Sequence, residues 1–283
     1  MLHTNLTMKG AELFEILRDT GGYTTRPGRP ARAVDRLLGR WDGWCHLRVI
    51  AVVCAANRYV KRHGYPDERW ADDACGMLDA YESCGARVRV EDFARVLHNE
   101  QPRVYVANHM SSIETMLLPG MLLPLRHVTV VVKESLARYP LFGPVIRGTG
   151  AITVGRTNPR EDLKTVLAEG AAALARGDAV LLFPQSTRRE DFAPAAFNSL
   201  GAKLAARAGC PLLPVALRSD FIGVGRLVRD FGPLRRDRPV CIRFGKDITV
   251  PRGGAREAHT QGVRFISETL RKWGVRVSAN GDT

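Results

Sequence analysis

Two textures divide the chain. Through about residue 85, apolar positions recur at helical spacing: residues 10–18, 33–41, 43–62 and the stretch "DERWADDACGMLDAYE" each predict a helix. The first two are separated by "TGGYTTRPGRPAR", whose glycines and prolines predict a loop. From Ala86 the period changes. "ARVRVED" alternates as a strand does, "RVYVAN" and "HVTVVVK" follow, and "GAITVGR" is another strand candidate. "AVLLFP" is a continuous apolar run, which suits a strand covered on both faces, and "PLLPVAL" and "VCIRFG" read as further buried strands.

Helices punctuate these strands. One starts at Asn158, placed to cap it, with Pro159 at the first helical position. Leu163, Val166, Leu167, Gly170, Ala171 and Leu174 then share a face, and Gly177 is placed to end it. "SLGAKLAARAG" predicts a short helix with Ser199 as cap and Gly209 as terminator, and the last helix covers about 255–272. Alternation of strand and helix predicts an α/β sandwich. The expected organisation is a helical N-terminal region over 1–85, a candidate for membrane docking, and an α/β domain over 86–283.

Composition narrows the partners. The 283 residues are 45% hydrophobic and 25% charged, which describes a globular chain with a sizeable core. The formal net charge of +13 and a pI near 10.0 suggest an anionic partner. Between Lys203 and Arg256 there are 12 Lys/Arg against 4 Asp. Few aromatics interleave with them, and zinc-finger, zipper and RNP-like patterns are missing, so nucleic acid is not the expected partner. The six cysteines show no C-x-x-C spacing. They indicate neither a metal site nor a redox pair, and read as reduced core thiols of a cytoplasmic protein. The N-terminus lacks an apolar signal region, and no apolar run reaches the length of a membrane span. "WCHLRVIAVVCAANRYVKR" comes nearest, but carries His46 and Arg48 and ends in the basic cluster Arg58, Lys61 and Arg62. It reads as a core helix or an interfacial one.

Candidate chemistry begins where "RVYVA" gives way to "NHMSSIE". In one helix, positions five apart point about 140° away from each other. His109 and Glu114 therefore meet only if His109 lies in the turn before the helix and Glu114 in its first turns. A carboxylate on one imidazole nitrogen makes the other a general base suited to a substrate hydroxyl. The same residues equally describe a polar cap and a helix-start charge. Two further strands end in arginine: "GAITVGR" at Arg156, and "AVLLFP" followed by "QSTRRE", which brings Arg188. Ligands bind at the carboxyl ends of such strands, and guanidinium groups suit phosphate oxygens. "GTGAITVG" does not complete a dinucleotide fingerprint, and no phosphate-binding P-loop occurs. No nucleophile-elbow glycines flank Ser111 and Ser112.

Four motifs in order resemble the glycerolipid acyltransferases typified by 1-acylglycerol-3-phosphate O-acyltransferase. "NHMSSIE" (108–114) resembles N-H-x-S-x-x-D, and "GAITVGR" (150–156) resembles G-x-I-x-I-x-R. "FPQSTR" (183–188) resembles F-P-E-G-T-R, and "PLLPVAL" (211–217) resembles V-P-I-V-P-V-A. The resemblance spans about 86–220. It implies a mixed, mostly parallel sheet flanked by helices, and an O-acyltransferase of phospholipid biosynthesis or remodelling. His109 would be the base and Glu114 its orienting partner. Arg156, Arg188, Thr187, Ser186, Gln185 and Asn108 would form the acceptor site. Nothing would be bound as cofactor, and acyl-coenzyme A or acyl-[acyl carrier protein] would serve as co-substrate. The acceptor would be a membrane lipid, reached from the cytoplasmic face by peripheral attachment. Glu114 stands where the family has Asp, and Gln185-Ser186 where it has Glu-Gly. These departures keep other acceptors open, an ornithine-type lipid or glycerol phosphate among them. The basic C-terminal third keeps open a non-catalytic protein that binds anionic lipid or nucleic acid.

Overall fold

The structure is a computed structural model that describes residues 7–27, 33–185, 187–225 and 231–278. Four helices come first, as the periodicity predicts: α1 (Gly10–Thr20), α2 (Ala33–Leu38), α3 (Asp42–His63) and α4 (Asp67–Ser83). The expected loop after α1 holds a strand as well. Tyr23–Thr24 forms β1, antiparallel to β2 (Val88–Glu91). Two residues carry no readable alternation; their pairing with a distant segment makes them a strand.

Beyond β2 and the short α5 (Ala94–Leu97), the chain alternates. β3 (Val104–Ala107) leads to α6 (Ile113–Leu122), and β4 (Val128–Lys133) to the short α7 (Glu134–Ala137) and α8 (Gly143–Gly148). β5 (Ile152–Val154) precedes α9 (Pro159–Ala175), and β6 (Ala179–Leu182) precedes α10 (Leu200–Ala208). β7 (Leu212–Arg218), β8 (Val240–Phe244) and α11 (Ala255–Lys272) complete the order. The strands form one sheet, β1-β2-β8-β7-β3-β6-β4-β5. It is mixed and mostly parallel: only β1 with β2 and β7 with β8 pair antiparallel. β3, β6 and nearly all of β7 are buried on both faces, as their unbroken apolar sequences require. α5, α7 and α8 are four to six residues long, too short for a helical period to register in sequence.

The caps follow their chemistry. The Asn158 side chain accepts from the N–H groups of Arg160 (3.1 Å) and Glu161 (3.4 Å), starting α9 at Pro159. Gly177 and Gly209 take the left-handed conformation beyond their helices, at φ 97° and 66°. At α10 the expected cap moves by one residue. Asn198, not Ser199, accepts from the Leu200 N–H, at 3.0 Å.

One face of α3, with Cys45, Val49, Val53 and Ala56, joins a core shared with α1, α4, α6 and the sheet. Arg48 is mostly buried there, and Asp35 and Asp79 neutralise it. α4 in turn packs on α6, the helix that carries Glu114. The approach is close because position 120 lacks a side chain: a methyl group on Gly120 would overlap the Ala74 Cβ. Among the described residues, no helix is long and apolar enough to cross a membrane.

Gly120→Ala should therefore destabilise the fold by about 1–3 kcal/mol, the usual cost of overpacking a close contact. Chemical denaturation of the two proteins reads the difference directly. A variant as stable as the parent would show that α4 and α6 have room to separate.

Candidate active site

The parallel strands β3, β6 and β7 lie side by side, so their carboxyl ends open on one edge of the sheet. Three loops meet there. Asn108 ends β3 and locks it to β7: its Nδ2 donates to the Leu217 carbonyl (2.7 Å), and the Leu217 N–H donates to its Oδ1 (2.8 Å). Both amide atoms of this buried side chain are thereby engaged. Asn108 thus holds the turn after β3 to β7 at the edge where the site opens.

His109 comes next and is gripped through its backbone. Its N–H donates to Gln185 Oε1 (2.7 Å), and its carbonyl accepts from the Arg189 N–H (3.1 Å). Both partners belong to the loop after β6. The imidazole rests against Phe183 at a centroid distance of 4.8 Å, and its Nδ1 lies 3.1 Å from Glu114 Oε1. His109 does lie in the turn before α6, and Glu114 in the first turn of the helix. The chain curls enough for the same carboxylate oxygen to accept from the N–H groups of Met110 (2.5 Å) and Ser111 (2.8 Å). Those groups would otherwise be unsatisfied at a helix start, where a negative charge is favoured. The polar-cap reading and the dyad reading are thus both realised by one side chain.

The other oxygen, Oε2, accepts from the hydroxyls of Ser111 (3.0 Å) and Ser219. Burial pushes the Glu114 carboxyl up. The hydrogen bond and charge of His109, with the bonds from Ser219 and Ser111, outweigh burial and leave it below the ordinary carboxylate value. An ionised Glu114 accepts from Nδ1–H, which leaves Nε2 as the basic nitrogen.

The remaining expected residues separate. Arg188 is half-buried and lines a cavity of about 20 Å³ beside the dyad, with Met110, Ser111, Ser112, Ile222, Gly223 and Val224. Gln185 is buried, and among the described residues its Nε2 has no hydrogen-bond partner; the glutamate expected by family resemblance would place an acceptor there instead of a donor. Thr187 is exposed. Ser186 lies outside the described residues. Arg156 is on the same edge of the sheet, but β6 and β4 separate its strand from β3, three spacings or roughly 14 Å. It is exposed and left-handed at φ 62°, its turn held by Asp162, whose two carboxylate oxygens accept from the N–H groups of Gly155 (3.0 Å) and Arg156 (2.9 Å). Both arginines end a strand motif alike, whereas the sheet order puts Arg188 on the loop beside β3 and Arg156 three strands away.

Sequence reasoning missed Ser219 and the ribbon beyond it. Ile222 bridges Leu234, Arg235 N–H donates to the Phe221 carbonyl (2.7 Å), and Gly223 N–H to the Pro233 carbonyl (2.9 Å). Gly232 backs so closely on the Gly223 carbonyl that a side chain would not fit. The apolar "FIGV" between glycine and charge was the available signal, and the arginines around it drew attention away. Those arginines are engaged: Arg218 and Arg238 pair with Asp220, Arg235 with Glu190, Arg236 with Asp42 and Arg243 with Asp92.

Residues 87–218 match the family model described as Acyltransferase, and all four motifs fall inside that span. Over that span the chain is similar to the acyltransferase family. The chain is 35% identical over 117 residues to a 1-acyl-sn-glycerol-3-phosphate acyltransferase of Pseudomonas aeruginosa, covering 41% of this chain and 44% of that one. A protein of the same name from Chlamydomonas reinhardtii is 33% identical over 129 residues, 46% of this chain and 36% of that one. The matched segment thus spans less than half the length of these curated relatives. In fold, the chain is similar to the crystal structure of the 1-acyl-sn-glycerophosphate acyltransferase PlsC of Thermotoga maritima. The TM-score is 0.60 at 17% identity, over 87% of this chain and 99% of that one.

The depressed Glu114 carboxyl makes stability depend on pH. Unfolding in acid lets this group take up a proton that the folded state resists. Its contribution is present above the unfolded carboxylate pKa and drains as pH falls through the folded one. Glu114→Gln should lower Tm at neutral pH, because an amide nitrogen then faces donors, and should flatten the fall of Tm on acidification. An unchanged acid slope would remove Glu114 from the pH dependence.

Proposed function

We propose that the protein transfers a fatty acyl group from an acyl thioester to the hydroxyl of a lysophospholipid such as 1-acylglycerol 3-phosphate. The observation that carries this reading is the His109–Glu114 pair, fixed at the strand edge with Arg188 beside it. His109 Nε2 takes the proton of the acceptor hydroxyl as its oxygen attacks the thioester carbonyl. The tetrahedral intermediate collapses to the new ester, the C–S bond breaks, and the imidazolium returns the proton to the departing thiolate. No acyl-enzyme is needed. Ser111 is unsuited to form one, because its hydroxyl donates to Glu114 and accepts from the Ile113 N–H at 3.1 Å. Arg188 would face the acceptor's phosphate, in a cavity that the apolar Ile222 and Val224 also line.

The donor is a thioester of coenzyme A or of acyl carrier protein, either of which supplies the same reactive carbonyl. Attachment is peripheral, at the cytoplasmic face of the membrane. Val34, Leu37, Trp41 and Leu47 expose apolar surface on and around α2 and α3, and Arg58, Lys61 and Arg62 follow on the outer side of α3. That combination suits a helix lying in an anionic lipid surface. A non-catalytic binder is the weaker reading, because a simple anion-binding surface has no use for a buried, multiply bonded carboxylate behind a histidine.

The reading is tested by thiol release from palmitoyl-coenzyme A and from palmitoyl-[acyl carrier protein], with acceptors added in turn. His109→Ala should retain the fold and lose roughly 10²–10⁴-fold in kcat, the usual scale for a general base. A folded His109→Ala protein with near-normal kcat would sink the mechanism.

The arginines should differ. Arg188→Ala should weaken use of a phosphate-bearing acceptor by about 1.5–3 kcal/mol, read as KM, and leave a dephosphorylated analogue almost unaffected. Arg156→Ala should have the smaller effect because of its place at the sheet edge. Equal losses on both acceptors would make Arg188 structural and remove the phosphate assignment.

A further inference from the structure

We infer that Ser219 is a positioning residue for the reaction: its hydroxyl, delivered from the end of β7, fixes the plane of the Glu114 carboxylate and so the orientation and proton affinity of His109. The inference rests on the acyl-transfer reading above and assigns a role to a residue that lies outside all four motifs.

The bonds to the carboxylate divide by origin. Met110 N–H, Ser111 N–H, Ser111 Oγ and His109 Nδ1 all belong to the turn that Glu114 itself closes. They hold the side chain in that turn wherever the turn moves relative to the sheet. Ser219 comes from 105 residues further along and donates to Oε2. A glutamate has one more rotatable bond than the aspartate of the family motif, and its terminal torsion is broad and roughly two-fold. Oε1 is set by two backbone N–H groups and the imidazole, so freedom remaining in the carboxylate is rotation that swings Oε2. The hydroxyls of Ser111 and Ser219 both reach Oε2 and restrain that rotation. The two oxygens lie 3.0 Å apart, so they hold Oε2 as neighbours in one pocket.

The Ser219 backbone has little room to move. Asn108 bonds both backbone groups of Leu217. Arg218 donates to the Trp273 carbonyl (2.6 Å) and pairs with Asp220 (3.1 Å), which Arg238 holds from the other side (2.6 Å). Ser219 sits between them and is itself buried. Its hydroxyl is directed at Glu114, with the Ser111 hydroxyl 3.0 Å away. A methyl group in its place would leave Oε2 with one donor fewer and a small void.

The effect on the reaction has a direction. A donor to an anion stabilises the anion, so removing it makes the carboxylate more basic. A more basic carboxylate against Nδ1 favours the protonated imidazole, which sets the expected direction of the variant. The charge of Glu114 is also felt by the buried Tyr81 of α4, whose phenol is pushed well up, by burial first, and stays neutral.

The test uses the full chain with Ser219→Ala, Ser219→Thr and Ser219→Cys. Two measurements are made: kcat and KM for palmitoyl transfer across pH, and the titration of His109 by imidazole NMR, which needs no substrate. Ser219→Ala should lower kcat roughly 10- to 100-fold, the equivalent of one charge-assisted hydrogen bond, with both KM values nearly unchanged. The acid limb of kcat and the His109 titration should both move to higher pH. Ser219→Thr, which keeps the donor, should restore most of kcat. If circular dichroism shows Ser219→Ala unfolded, Ser219→Cys keeps the volume, weakens the donor and carries the same expectations. Wild-type kcat and an unmoved His109 titration in the Ala or Cys variant would overturn the inference. So would a loss shared equally by the Thr variant. If the wild type transfers no acyl group from either donor, the functional reading fails on its own, and the NMR titration still decides whether Ser219 governs His109.

Discussion

The site is organised around one buried anion. Glu114 has 1% of its side chain exposed, and such a charge is tolerable only when donors surround it. Meeting that requirement shapes the neighbourhood. The turn after β3 must curl so that two N–H groups point inward, a serine must stand at 111, and the end of β7 must present another at 219. The imidazole is one more donor in this shell. Its usefulness as a base follows from the demand of the carboxylate for a proton donor at Nδ1.

The sheet makes that shell possible. Parallel order sends β3, β6 and β7 out on the same edge, so three loops far apart in sequence supply one site. The loop after β6 grips the His109 backbone from both sides, through Gln185 and Arg189. The loop after β7 reaches the carboxylate and continues into the ribbon that walls the cavity. The ribbon is tied back to the N-terminal helices: Arg236 bonds Asp42 and the carbonyls of Gly39 and Cys84, and His46 donates to the Gly232 carbonyl at 3.0 Å. The apolar outer face of α3 and one wall of the cavity are thus parts of a single braced unit.

How much of this could be read beforehand depended on sequence distance. His109 and Glu114 are five residues apart across a strand-to-helix break, so the chemistry and the geometry fell in one window. The longer strands and helices, and the Asn158 cap, were equally local. β1 was not, because two residues become a strand only by pairing with β2. Ser219 was not, because its partner is 105 residues away and its own segment reads as charge. Arg156 and Arg188 looked alike because strand order is invisible in sequence: β5 follows β4 along the chain but ends at the rim of the sheet, while β6 inserts beside β3. The basic stretch after Lys203 misled for a related reason. Several of its arginines are answered by carboxylates within the fold, among them Glu190, Asp42 and Asp92 from other parts of the chain.

The contact between Gly120 and Ala74 has a consequence for how such a protein can vary. Position 120 lies two turns beyond Glu114 on α6, and it has room for hydrogen alone because position 74 of α4 already holds a methyl group. A lineage that enlarges one of these residues must shrink the other or let the helices part. Since α6 carries the carboxylate, parting them shifts the anchor of the base. Substitutions at the two positions are thereby coupled through packing. A change at either would reach the His109–Glu114 pair through a helix contact that touches neither the histidine nor the cavity.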